Sequence, residues 1–262
     1  MIKRVLSALI GIPILLSLTW LGGWYLALLI IVLALLGLRE FLDLGHKAGF
    51  AVPSKLTGLF CILWLVAFLL QQTEWLLPLA VIWFVVSFGN YGINYPTVSF
   101  ADAAYGFLSI FYPVGLFTIL YYLRTLPNGT AWCYFAFILV WITDSGAYFV
   151  GSALGSRKLA PKVSPNKSIE GALGGLAAAC CFGLVFWFIT RLGNPFALLL
   201  LSLVASVVSQ IGDLFESALK RTAGVKDSGA IIPGHGGILD RFDSLLFAIP
   251  VVYVFLLLEM VG

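Results

Sequence analysis

Residues 196–221 read FALLLLSLVASVVSQIGDLFESALKR, and this stretch decides the class of fold. From Phe196 to Leu219 its only charges are Asp213 and Glu216. As a helix it spans the hydrocarbon layer of a bilayer, which takes about 20 mostly apolar residues. Its apolar residues run on without the helical or strand period of a half-buried element. The polar residues are ordered instead: Asp213, Glu216, Ser217 and Lys220 follow i, i+3, i+4, i+7 spacing and line one helical face. Ionisable groups at membrane depth are costly, so such a face is a functional candidate.

The rest of the chain repeats the pattern. Of 262 residues, 61% are hydrophobic and 10% charged, against about 25% charged in soluble domains, and mean hydropathy is +1.04. No water-soluble core of this size hides that much apolar surface. The strand-length alternation of a membrane β-barrel is missing, leaving an all-α, polytopic transmembrane helical bundle. Nine spans are expected, near 5–21, 24–39, 55–71, 75–92, 104–123, 130–150, 171–190, 196–219 and 244–261. Gly22-Gly23 separates the first two, which one long interrupted segment would also satisfy. The expected organisation is an N-terminal region of five spans, residues 1–125, and a C-terminal catalytic region, residues 126–262, with cytoplasmic loops at 151–170 and 220–243.

With the N-terminus inside, thirteen of the fifteen Lys and Arg residues face the cytoplasm and only Arg124 and Arg191 lie outside, as basic residues distribute in inserted chains. Met1-Ile2-Lys3-Arg4 before an apolar run resembles a signal peptide but has no small-residue cleavage site, so it is expected to remain as the first span. Cys61, Cys133, Cys180 and Cys181 fall within spans without metal-ligand spacing and are expected to pack. A net charge of +3 beside a membrane fits anionic lipid head groups, and no basic stripe with stacking aromatics suggests nucleic acid.

Chemistry concentrates at one side. Asp144, in Thr143-Asp144-Ser145-Gly146, and Asp213 both fall about 10 Å from the inner ends of their spans, where they can share a cavity. Between the last two spans lie Lys220, Arg221, Lys226, Asp227, then Gly234-His235-Gly236-Gly237, then Asp240-Arg241-Phe242-Asp243. Glycines let backbone amides approach an anion, and Lys and Arg supply countercharge, so a phosphate-rich ligand suits this loop. Asp213, Asp240 and Asp243 are oxygen donors of the kind that bind Mg²⁺ beside phosphates. The bland readings are an ion-pair network on the helix face, turn chemistry for the glycines, snorkelling for Arg241 and a backbone hydrogen bond for His235. A second polar loop, Gly155 to Gly171, carries Lys167 without the glycine spacing of a phosphate loop. Gly151 with Gly155, and Gly171 with Gly175, have the small-residue spacing of closely packed membrane helices.

The run Ser217-Ala218-Leu219-Lys220-Arg221, with Lys226-Asp227, Pro233-Gly234-His235-Gly236-Gly237 and Asp240-Arg241-Phe242-Asp243, resembles the signature of the phosphatidate cytidylyltransferase family, also called CDP-diglyceride synthases. Thr143 to Tyr148 and Ser164 to Gly171 resemble the same family, so the likeness covers about residues 140–262. It implies a multi-pass membrane enzyme, in the inner membrane if bacterial. That enzyme joins CTP and phosphatidic acid to give CDP-diacylglycerol and pyrophosphate, its site facing the cytoplasm. On this reading Mg²⁺ falls to Asp213, Asp240 and Asp243, with Asp144 and Asp227 near them and room for a second cation. Lys220, Arg221, Lys226, Arg241 and Lys167 would hold phosphates. Ser217, Gly234, Gly236 and Gly237 would line the substrate, with His235 shaping the pyrophosphate pocket. A homodimer stays open. An ion-coupled transporter using Asp144 and Asp213 lacks an inverted repeat, and the Asp-Gly and Ala-Arg run of CDP-alcohol phosphotransferases is not found. A purely structural subunit would keep its buried charges without use.

Overall fold

The computed structural model describes residues 2–231 and 236–258. Its helices are α1 (Ile2–Leu21), α2 (Gly23–Lys47), α3 (Ser54–Leu69), α4 (Leu76–Ile93), α5 (Phe100–Ile110), α6 (Leu116–Thr125), α7 (Gly129–Leu154), α8 (Ile169–Thr190), α9 (Pro195–Thr222) and α10 (Leu239–Leu257). A π-helical turn, Phe111–Gly115, fuses α5 and α6 into one rod, Phe100–Thr125. Pro113 sits in that turn, where its missing N–H breaks the regular ladder. The described residues thus form nine rods, in the order of the nine predicted runs, and the all-α expectation holds. Among the described residues six segments, Gly23–Lys47, Thr73–Ile93, Phe100–Thr125, Gly129–Leu154, Ile169–Thr190 and Pro195–Thr222, are long and apolar enough to cross a membrane. Large apolar side chains point outward, Leu77 at 72%, Ile93 at 84% and Phe196 at 81% exposure, a surface that suits lipid and not water.

At Gly22 and Gly23 the backbone takes φ 65° and 49°, a region glycine enters without steric cost, so α1 and α2 are two helices with a tight turn between them. The helices also outrun the apolar stretches: α7 continues to Leu154 and α9 to Thr222. The loop expected at 151–170 is partly an antiparallel hairpin of β1 (Lys158–Ala160) and β2 (Ser164–Ser168). Cys181 is exposed and so does not pack as expected; Cys61 and Cys133 are buried.

The chain divides into two compact units, Met1–Tyr121 with Leu219–Arg241, and Tyr122–Ala218 with Phe242–Gly262. The signature segment Leu219–Arg241 therefore groups with the N-terminal helices.

In the first unit α2 is the central helix. Leu26, Ile30, Leu33, Gly37, Glu40, Phe41 and Leu44 form its buried stripe. The Tyr105 ring stacks on Phe41 with centroids 4.4 Å apart and occupies the place of a Gly45 side chain, while its hydroxyl donates to the Phe41 carbonyl at 2.7 Å. Around Gly37, Pro113 of the π turn and Phe117 of α6 would each lie 3.3 Å from an added Cβ.

In the second unit α7 and α8 pack backbone to backbone. A Cβ on Gly171 would lie 2.7 Å from the Ala147 carbonyl, and one on Gly175 2.6 Å from that of Thr143. The glycines read as a packing motif do this, and the close approach leaves the polar ends of both helices lining one cavity.

Candidate active site

The cavity of the second unit has a volume of about 460 Å³, with Asp144 and Tyr148 of α7, Lys167 and Ser168 of the β2 strand, and Gln210 and Asp213 of α9 in its wall. Ser168 ends β2 and caps α8, its hydroxyl accepting the Gly171 amide at 3.1 Å. Glu170, in the first turn of α8, accepts from the amides of Ser156 and Arg157 at 3.1 Å and from Arg157 Nε at 3.0 Å. Both ends of the hairpin are thereby tied to α8, and Lys167 is carried into the cavity. Its ammonium donates to Asp213 Oδ2 at 2.5 Å. Ser217, one turn along α9, donates to Asp213 Oδ1 at 3.3 Å. Two further bonds fix α9 against its neighbours: Thr143 to Ser206 at 3.1 Å, and Gln210 to the Ala172 carbonyl at 3.3 Å.

Asp144 is exposed and within electrostatic reach of Asp213 and Lys167. Asp243, near the start of α10, is within reach of Asp213, Glu216 and Asp144. Close packing puts it there, because a Cβ on Gly212 would lie 2.6 Å from the Asp243 carbonyl. In this unit the carboxylates of Asp213, Glu216 and Asp144 thus lie within electrostatic reach of Asp243, while Lys167 pairs with Asp213. Among the described residues no three such groups converge closely enough to hold an ion unaided. The oxygen donors of Asp213 and Asp243, with Asp144 beside them, nevertheless suit Mg²⁺, which takes one or two carboxylates and completes its shell with water and substrate phosphates.

The first unit holds the other predicted residues. Helix α9 ends in a Schellman turn at Gly224 (φ 68°), where Val225 N–H donates to the Lys220 carbonyl at 2.9 Å and Gly224 N–H to that of Arg221 at 3.1 Å. Lys220 donates to Asp240 Oδ1 at 2.6 Å, and the two side chains are 12% and 4% exposed. Asp240 Oδ2 accepts from the Ser228 amide at 2.8 Å, the Ser228 hydroxyl at 2.9 Å and the Gly237 amide at 2.8 Å. Asp240 precedes the predicted span 244–261. Burial alone would raise its carboxyl, but Lys220 and the amides of Gly237 and Ser228 outweigh this and hold it below the ordinary carboxylate value. Asp240 thus fastens the loop. Arg221, Lys226, Asp227 and Arg241 are exposed, and Arg221 also donates to the Val225 carbonyl at 3.2 Å. Gly236 takes φ 81°, and a Cβ there would lie 2.5 Å from Asp240 Oδ2. Gly234 and His235 lie outside the described residues.

One residue escaped the sequence reading. Glu40, 2% exposed on α2, accepts from the Ile238 amide at 2.8 Å, the Leu239 amide at 2.9 Å and the Ser228 hydroxyl at 3.0 Å. It adjoins Arg39 at the end of a predicted span and reads as an interfacial charge. Its signal was the period: Leu33, Gly37, Glu40 and Leu44 lie on one helical stripe, and the other three are apolar or small.

A helical membrane protein that has carboxylates and a lysine in the wall of a cavity, and that separately carries a basic glycine-containing loop, has the build of an enzyme acting on anions. The chain belongs to the cytidylyltransferase family, whose model matches residues 2–258, and it is a nucleotidyltransferase. It is 40% identical to a protein of Staphylococcus epidermidis, and 38% identical to proteins of Staphylococcus haemolyticus and Staphylococcus aureus, all three named phosphatidate cytidylyltransferase. Each match covers 97% of this chain and 98% of the relative.

Proposed function

We propose that this protein condenses CTP with phosphatidic acid to give CDP-diacylglycerol and pyrophosphate, supplying the activated lipid for phospholipid synthesis. The observation that carries this reading is the cavity with Asp144, Lys167 and Asp213 in its wall, which sets three ionisable groups inside an otherwise apolar bundle. The names of its relatives support the substrates. It would sit in the bacterial cell membrane with the cavity and basic loops towards the cytoplasm, where CTP is available.

In the reaction an oxygen of the lipid phosphate attacks the α-phosphorus of CTP. A new P–O bond forms, the bond from the α-phosphorus to the bridging oxygen breaks, and pyrophosphate leaves with the electron pair. The lipid phosphate is ionised near neutral pH, so no strong general base is required. The protein's task is to hold two anions together and to stabilise charge growing on the phosphoryl and leaving oxygens. Lys167 is placed to pair with a phosphate that competes with Asp213 for its ammonium. Arg221, Lys226 and Arg241 offer exposed cationic groups to the nucleotide phosphates, with Lys220 held in the loop by Asp240. Asp213 and Asp243, with Asp144, would hold Mg²⁺. When bound, that ion supplies positive charge for the phosphoryl oxygens.

The test is pyrophosphate release by the purified protein in detergent, with phosphatidic acid and each nucleoside triphosphate in turn, with and without Mg²⁺. Release that requires CTP, the lipid and the metal together is the expected result. Folded protein that releases none with any combination would overturn the proposal.

A further inference from the structure

A carboxylate from one of the N-terminal helices holds both described ends of the signature loop. Glu40 is buried on α2, and both of its oxygens are engaged: Oε1 with the Ile238 amide, Oε2 with the Leu239 amide and the Ser228 hydroxyl. Leu239 begins α10, whose first amides have no partner within the helix, so Glu40 caps α10 from almost two hundred positions away in sequence. It also gathers the two ends of the loop, because Ser228 lies at one end and Ile238 at the other.

The surrounding glycines make room for this carboxylate. A Cβ on Gly229 would lie 2.6 Å from Glu40 Oε1, and one on Gly237 would collide with Glu40 Oε2 and the Ser228 hydroxyl. The Ser228 hydroxyl, with one proton, faces Glu40 at 3.0 Å and Asp240 at 2.9 Å. Glu40 and Asp240 thus share Ser228, and Asp240 in turn fixes the Lys220 ammonium. A single buried group on α2 therefore anchors Ser228, two residues after Lys226, and Leu239, two residues before Arg241.

We infer that Glu40 is a positioning residue of the nucleotidyl transfer: by holding Ser228, Ile238 and Leu239 it sets the places of Lys226 and Arg241, the neighbouring cations that receive the CTP phosphates. The inference rests on the proposed reaction. Glu40→Gln keeps the shape of the side chain but offers an NH₂ group where one oxygen accepted an amide. Removing an acceptor from a buried donor in this way is expected to raise KM for CTP roughly ten- to a hundredfold. KM for phosphatidic acid should stay near that of the unaltered protein.

Ser228→Ala is the milder companion. It leaves both amide bonds to Glu40 in place and should give a smaller shift of the same kind. In the Glu40→Gln background its effect should be less than additive, since the two side chains share a hydrogen bond. The experiment measures kcat and both KM values for these variants and Glu40→Asp, after size-exclusion and thermal unfolding in detergent confirm folded protein. A selective rise in KM for CTP, partly restored in Glu40→Asp, is the expected result. Overturning results are unchanged KM values, or lost turnover that follows only the amount of folded protein with both KM values constant. Inactivity of the unaltered protein would instead sink the proposed reaction.

Discussion

Lys167 and Asp213 form an ion pair with side chains 28% and 30% exposed, so solvent weakens it and an incoming phosphate can compete for the ammonium. Lys167→Met should therefore act on phosphate binding. Asp213→Asn and Asp243→Asn should strike deeper, cutting turnover by about a hundredfold or more while folded protein still accumulates in the membrane. Steady-state rates on purified variants decide this, and normal turnover in either Asn variant removes that residue from the proposed metal site. In so apolar a chain each charge stands out, which is why Asp144, Lys167, Asp213, Lys220, Asp240 and Asp243 were legible as candidates. What each one touches was not. Asp240 reads as a metal ligand, but its oxygens accept from Lys220, Ser228 and Gly237, partners fixed by the loop's path. Glu40 was hidden because the residues it serves are remote in sequence.

The rods themselves were legible, since a membrane helix needs a long apolar run and these runs are punctuated by glycine, proline and charge. Their ends were less so: once a helix has left the hydrocarbon, hydrogen bonding can extend it through polar residues, as α9 does to its turn at Gly224. The hairpin at Lys158–Ser168 gives no alternating apolar signal because it is held by Glu170 and the Ser168 cap, not by a buried face. The α7–α8 contact offers a test at the level of elements. Gly175→Ala puts a methyl group 2.6 Å from the Thr143 carbonyl, and backbone cannot yield as a flexible side chain can. It should destabilise the protein by about 1–3 kcal/mol, read as a lower unfolding temperature in detergent. Gly151→Ala meets the Ser168 hydroxyl at 3.1 Å and the Gly171 Cα at 3.4 Å, and its loss should be smaller. Equal losses would mean that close backbone approach is not what these glycines provide.

For the molecule as a whole, the contacts of Glu40 constrain topology independently of charge counting. They put the C-terminal part of α2 beside the start of α10, so both lie on the side of the membrane that carries the signature loop. On the expected nine-span arrangement the turn at Gly22 and Gly23 would belong to the opposite side, and α1, crossing back, would put the N-terminus on the side of the loop. Positive charge makes the same assignment: Lys162 and Lys226 fall on the side expected to be cytoplasmic, Arg191 on the other. We expect Lys162→Cys and Lys226→Cys to react with a membrane-impermeant maleimide only in inside-out vesicles. Arg191→Cys should react only in right-side-out vesicles, with the unaltered protein giving the background from its four native cysteines. Labelling of Lys226→Cys from the outside would put the loop out of reach of cytoplasmic CTP, and the proposed reaction could not then run as described.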